Sequence, residues 1–171
     1  MTRREGRGSG PASTRRAVLA IGVGLLLGGC GLTIPTDPDG TLDQVRSSGT
    51  LRVGASPRTG WVELDGERAP GGREPQLVEG FAEHLGADVE WTVAGEEHLV
   101  TMLEDGELDL AVGGFTDANL WVDKVGLTRP YAEVVVDGST EAHVMMVPMG
   151  ENALQSELER WLDENKNGGG S

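Results

Sequence analysis

The chain is short of three things. It holds one cysteine, Cys30, so no internal disulfide can form and pairing says nothing about the redox compartment. It has only seven aromatic residues (four Trp, two Phe, one Tyr), which points to an aliphatic core. Basic groups are scarce too: 14 Lys and Arg face 28 Asp and Glu across 171 residues, a formal net charge of −14. Five of those arginines (Arg3, Arg4, Arg7, Arg15, Arg16) precede Cys30, leaving nine basic against 27 acidic groups from there onward. Such a polyanion cannot neutralise phosphates, which excludes nucleic acid as a partner, and an anionic lipid face repels it. His-Glu-x-x-His, Gly-x-Ser-x-Gly and a phosphate-binding loop are all missing. No enzymatic activity, cofactor or metal is expected. What remains is 37% apolar, enough for one globular domain rather than a disordered acidic chain.

The N-terminal arginines have a different use. Arg15-Arg16 precedes Ala17 to Gly29, a 13-residue run without charge. A helix needs about 20 apolar residues to cross a bilayer, so this run is too short to span and has the form of a secretory signal. It ends in Leu27-Gly28-Gly29-Cys30, which resembles the bacterial lipobox, where the cysteine thiol receives a lipid. Residues 1–29 are therefore expected to be a removed signal peptide, with Cys30 the lipidation site. The alternative is a buried, inert thiol. Ser13-Thr14-Arg15-Arg16 also resembles a twin-arginine signal, so Sec and Tat export both stay open. Residues 30–40, with two prolines and two aspartates, read as a tether, and 165–171 (NKNGGGS) as a flexible tail.

The folded part is then 41–164. Thr41 to Ser48 predicts a short helix stopped by Gly49, and Leu51 to Ala55 an alternating strand. A glycine- and charge-rich loop runs from Ser56 to Arg73. Leu77, Val78, Phe81 and Leu85 share one helical face beginning at Pro75 and closed by Gly86. Val89 to Val93 is a strand, Glu96 to Asp105 a helix, and Leu108 to Gly113 a strand covered on both faces. The order strand–helix–strand–helix–strand predicts an α/β fold in three layers, with a mostly parallel, doubly wound sheet. Two β-like runs follow, Ala132 to Val136 and His143 to Val147, with Asp137 to Thr140 as the turn between them. Asn152 to Glu164 is the last helix.

Five segments in order are similar to the bacterial extracytoplasmic solute-binding proteins of family 3. They are Thr41 to Gly54, Glu79 to Gly86, Leu103 to Thr116, Val125 to Tyr131 and Val147 to Leu154. The resemblance implies a periplasmic-binding-protein-like lobe that binds a small polar solute for an ABC permease. It further implies an exported protein held by its lipid on the outer face of the cell membrane. Two departures accompany it. The family places a whole second lobe between the crossover after Tyr131 and the return strand, and a domain needs about 50 residues; here only a hairpin's length is available, so one lobe is expected. The family's arginine for the ligand α-carboxylate falls on Trp121, and an indole offers one N–H and no charge. A different use of the lobe thus stays open, as an accessory or sensory lipoprotein that docks another membrane protein without transporting solute.

In an open parallel sheet, ligands lie beyond the carboxyl ends of the strands where strand order reverses. If the strands at 51–55 and 108–113 are neighbours, Ser56, Trp61, Gly114, Phe115, Thr116 and Asp117 line that point, with Trp121 at the position of the family's arginine. Each has a plain alternative: the glycines only turn the chain, and Thr116 caps a turn. Trp61 and Trp121 together would stack on a cation beside Glu63 or Asp117, or each would pack over a core edge. His84, His98 and His143 fall on separate elements without ligand spacing. Met145 and Met146 point to opposite faces of a strand and read as core filling. Glu104, Asp105, Glu107 and Asp109 read as a solvated acidic turn.

Overall fold

A computed structural model describes residues 37, 39–66 and 68–165. The expected signal peptide, Cys30, most of the tether and the tail beyond Asn165 lie outside them.

The first helix, α1 (Thr41–Ser48), buries Leu42 and Val45 and ends at Gly49. At φ 71° that glycine turns its N–H back to the Val45 carbonyl at 2.9 Å. The chain is thereby delivered into β1 (Thr50–Ala55), where Leu51, Val53 and Ala55 are fully buried. Then come α2 (Arg73–Leu85), β2 (Asp88–Val93), α3 (Glu96–Glu104), β3 (Leu110–Val112) and β4 (Val125–Leu127). The hairpin β5 (Ala132–Val136) and β6 (Ser139–His143), the strand β7 (Met146–Pro148) and the helix α4 (Asn152–Asn165) complete the chain.

The sheet runs β2-β1-β3-β7-β4. β1 pairs in parallel with β2 on one side and β3 on the other, while β7 is antiparallel to both β3 and β4. The expected three-layer, mostly parallel sheet is present, with one reversed strand inside it.

Period-two alternation along the inner strands builds a separate core on each face. Leu110 and Val112 join Leu51, Val53, Val78, Phe81 and Leu158 under α1, α2 and α4. Ala111 turns the other way, to Leu99, Val100 and Leu103 of α3. Met145 packs in the first core and Met146 in the second, both fully buried, which is the core-filling role expected of them. Burying a leucine or phenylalanine side chain contributes about 1.5–3 kcal/mol, so these two layers hold the lobe together with few aromatics.

Three local readings need correction. The run His143 to Val147 is not one strand: β6 ends at His143 and β7 begins at Met146. The hairpin turn is two residues rather than four, Asp137 and Gly138 at φ 51° and 83°, so Ser139 and Thr140 belong to the ladder. Asp-Gly is the dipeptide that such left-handed two-residue turns prefer. Finally, Asp109 is no part of a solvated turn. It is buried and accepts from the Arg52 backbone N–H at 2.8 Å, from Nε at 3.2 Å and from Nη2 at 2.5 Å. Its neighbours Glu104, Asp105 and Glu107 are exposed as expected.

Candidate functional site

From β1 the chain crosses through α2 to β2 on one side, and from there through α3 to β3 on the other. The strand order therefore reverses between β1 and β3, whose carboxyl ends meet where the Ser56 N–H donates to the Val112 carbonyl at 2.8 Å. This is where an open α/β sheet leaves a crevice.

Two loops converge there. After β1, Arg58 and Val62 pair in a tight reversal, and the Arg58 carbonyl accepts from Trp61 N at 3.0 Å. After β3, Gly113 and Gly114 come so close to the first loop that side chains are excluded. A Cβ on Gly113 would stand 2.8 Å from both Ser56 Cβ and the Phe115 ring. One on Gly114, at φ 62°, would stand 2.8 Å from the Trp61 ring and 2.9 Å from Arg58 Cδ.

Beneath this surface lies a buried polar cluster. Glu74, at the start of α2, is wholly inaccessible and accepts from the Gly114 N–H at 2.8 Å and from the Tyr131 hydroxyl at 2.5 Å. Burial pushes its carboxyl above the ordinary value, against the Tyr131 and glycine N–H donors and the charge of Arg73. Burial, then the Glu74 charge, likewise raises the Tyr131 phenol, which stays a proton donor. The cluster ties α2, the β3 loop and the crossover segment to one point.

Trp61 lies over the cluster. His143 stacks on it at 3.8 Å between ring centroids, Tyr131 meets it edge-on at 6.2 Å, and Arg73 Cζ is 5.0 Å from its centroid. Burial holds His143 below the ordinary imidazole value, despite Glu141 Oε2 at 3.8 Å from Nε2. Its Nδ1 is buried without a hydrogen-bond partner. The base of the hairpin closes one side: Thr116 bridges His143, Asp117 N donates to Ala142 O at 2.9 Å, and Tyr131 N donates to His143 O at 3.0 Å.

The structure thus brings Ser56, Trp61, Gly114, Thr116 and Asp117 to one rim. Phe115 is in the same loop, but its ring is 5% exposed and packs into the core under α3, so it supports the loop from below. Trp121 stands apart. Its Nε1 donates to Glu96 Oε1 at 2.8 Å beside Lys124, and it packs on the second core while Trp61 packs on the first. The two indoles engage different partners, so the shared cation cage is not built.

Glu74, Tyr131 and His143 were not anticipated. An acid in the first turn of a helix is ordinarily a partner of the helix dipole, and nothing local distinguishes one that turns inward. Among the described residues no cluster of His, Cys, Asp or Glu has the form of a metal site, and no helix is long and apolar enough to cross a membrane.

A concavity of about 600 Å³ lies at the opposite ends of the strands and includes Arg52, Leu108, Lys124 and Met149. Its two cations are both engaged, Arg52 with Asp109 and Lys124 with Glu104 at 2.9 Å. We place the candidate site at the β1–β3 rim, where strand order reverses and the two loops meet.

Comparison with known proteins agrees with this architecture. The arginine-bound form of domain 1 from TmArgBP, of T. maritima, superposes with a TM-score of 0.65 at 23% identity, over 71% of this chain and 98% of that one. An ancestral cationic amino acid solute binding protein gives 0.68 at 17% identity, over 75% and 95%. Among curated sequences, the membrane-bound lytic murein transglycosylase F 2 of Alkalilimnicola ehrlichii is 36% identical over 101 residues, 58% of this chain and 22% of that protein. The membrane-bound lytic murein transglycosylase F of Vibrio cholerae is 31% identical over 114 residues, 63% of this chain and 21% of its own length. The chain therefore spans about a fifth of the curated relatives it matches. The family model for bacterial extracellular solute-binding proteins, family 3, matches residues 51–170, most of the chain. This chain belongs to the bacterial extracellular solute-binding proteins, family 3.

Proposed function

We propose that the protein is a lipid-anchored, extracytoplasmic solute-binding protein that presents a small polar solute to an ABC-type permease. It acts as a binding protein rather than an enzyme. The observation that carries the reading is the β1–β3 rim. Two loops are held at contact distance by Gly113 and Gly114 and fixed from beneath by Glu74, leaving Trp61, Thr116 and Asp117 at a preorganised surface. Ordering the surface before binding removes part of the entropic cost of association. Domain 1 of TmArgBP, likewise one lobe, is known in an arginine-bound form. Lipidation at Cys30, after removal of residues 1–29, supplies the anchor in this reading.

A melting screen against amino acids, amines and organic acids tests it, because a ligand that binds only the folded state raises Tm. A screen in which no solute moves the transition counts against solute binding. Anchoring is tested separately: labelled palmitate enters the wild type and fails to enter Cys30→Ala, which leaves the membrane fraction.

The second reading, a lobe that docks another membrane protein without solute, is favoured by the hairpin. Its two-residue turn stands where the family places a second lobe, and Val135 on it is 71% exposed. Recovery of one membrane partner in the absence of any solute, lost in Val135→Ser, supports that alternative.

A further inference from the structure

The described residues contain eight arginines and lysines, and six of them reach a carboxylate within ion-pair distance. The two left over are Arg58 and Arg73. In a chain with twice as many acids as bases, an unpaired arginine is the exception. Both exceptions flank the same indole.

Arg73 lies over Trp61, its Cζ 5.0 Å from the ring centroid. The Arg58 side chain runs along Gly114 from the other loop, its Cδ and the Trp61 ring each less than 3 Å from the space a Cβ at Gly114 would fill. The acid nearest in sequence to Arg73, Glu74, is turned inward and committed to Tyr131 and Gly114. Glu63 and Asp117, the exposed acids of the same two loops, form no ion pair with either arginine.

The position of Arg73 adds a second argument. It is the first residue of α2, whose N-cap Gly72 supplies no side-chain cap. A cation there opposes the helix dipole, which favours anions at that end. Two arginines without an ion-pair partner thus stand at one edge of an acidic lobe, with the only first-turn acid of α2, Glu74, turned inward beneath them. Guanidinium groups bind carboxylates through paired N–H donors.

We infer that Arg58 and Arg73 form the carboxylate-binding end of the site, so that this lobe selects an anionic, carboxylate-bearing solute. The inference rests on the solute-binding reading and names the solute's class. Trp61 supplies the apolar floor between the two charges.

Titration calorimetry and thermal melting on the full chain test it. The probes are acetate, succinate, glutarate and L-glutamate, set against agmatine, a guanidinium cation without a carboxylate. At least one carboxylate is expected to saturate and raise Tm, more weakly as salt is added, while agmatine does neither. The double variant Arg58→Gln/Arg73→Gln should lose about tenfold or more in affinity for that carboxylate. Arg46→Gln makes a single change of net charge on α1, where Arg46 pairs with Glu157 of α4, and should bind like the wild type. Equal binding by the double variant, or agmatine bound as well as the carboxylates, overturns the clamp and leaves solute binding standing. If none of the four carboxylates binds while another solute of the wider melting screen raises Tm, the clamp falls and solute binding stands; if that whole screen is silent as well, both fall.

Discussion

Tyr131 donates its phenol proton to the buried carboxylate of Glu74 across 2.5 Å, joining the crossover segment to the start of α2 beneath the candidate site. Removing that hydroxyl leaves one carboxylate oxygen without its donor in a place water does not reach. Tyr131→Phe is expected to destabilise the lobe by about 1–3 kcal/mol, the cost of a buried polar group left unsatisfied. Glu74→Ala should cost more, because it also frees the Gly114 N–H. Urea denaturation with a common m-value across the three proteins measures the order.

Asp109 and Arg52 give a second, asymmetric case. The Asp109 side chain is 3% exposed, whereas that of Arg52 is 39% exposed. Asp109→Ala strands the Arg52 backbone N–H and the inward part of the guanidinium, a loss of about 1–3 kcal/mol. Arg52→Ala keeps the backbone donor on Asp109 and should cost less. If the two variants melt together, or in reverse order, the carboxylate is not the organising group at the head of β3.

Gly114 combines a left-handed backbone with contact on both sides. A methyl group there must move Trp61 and Arg58, and an L-residue in that conformation costs about 1–2 kcal/mol by itself. Gly114→Ala is therefore expected to lower stability by that amount or somewhat more and to abolish ligand-induced stabilisation. A melt with and without the best carboxylate probe reads both effects. An unchanged ligand shift would separate the β3 loop from binding.

The attachment of the chain just before α1 should depend on pH. Glu151 accepts from Asp39 N at 3.0 Å and from Thr41 N at 3.1 Å, and Asp37 hydrogen-bonds to it. Burial, followed by the Glu151 hydrogen bond and charge, raises the Asp37 carboxyl from 3.8 to about 7. Against its own burial, Glu151 is held below its ordinary value by Asp37 and the two amides. A raised acid binds its proton more tightly when folded, so its contribution is complete below 3.8 and fades as pH rises through about 7. A depressed acid contributes above its unfolded value and loses that as pH falls through its folded one. The contact is thus firmest in mildly acidic solution. Hydrogen-exchange protection at Asp39 and Thr41, corrected for intrinsic rates, should drop between about pH 5 and pH 8. In Asp37→Asn it should stay level.

Much of this molecule was legible from residue spacing because local rules and the global fold agree. Gly49 and Gly86 end their helices in the left-handed conformation, as their places after apolar faces suggested. Ser56 and Gly113 meet because two short apolar runs became neighbouring strands. The polar interior was harder. Glu74 and Asp109 are acids whose burial depends on donors 57 residues distant in each case, Tyr131 and Arg52, and no local pattern encodes such a partner. β4 escaped notice because three residues with a central glycine carry too little periodicity. The environment of Trp121 is set by Glu96 and Lys124 rather than by the rim, and no local pattern encodes those partners either.

The two-residue turn at Asp137-Gly138 has a consequence for signalling. Where two lobes shut on a solute, a transporter or receptor can sense the closed outline and never touch the cargo. Here the connecting strands return at once, and the described lobe has no second jaw to move. Under the proposed solute-binding function, a reader of occupancy would meet this lobe at the rim itself, through the solute or the few side chains around it. The message would then be short-ranged, chemical and inseparable from the ligand's own surface.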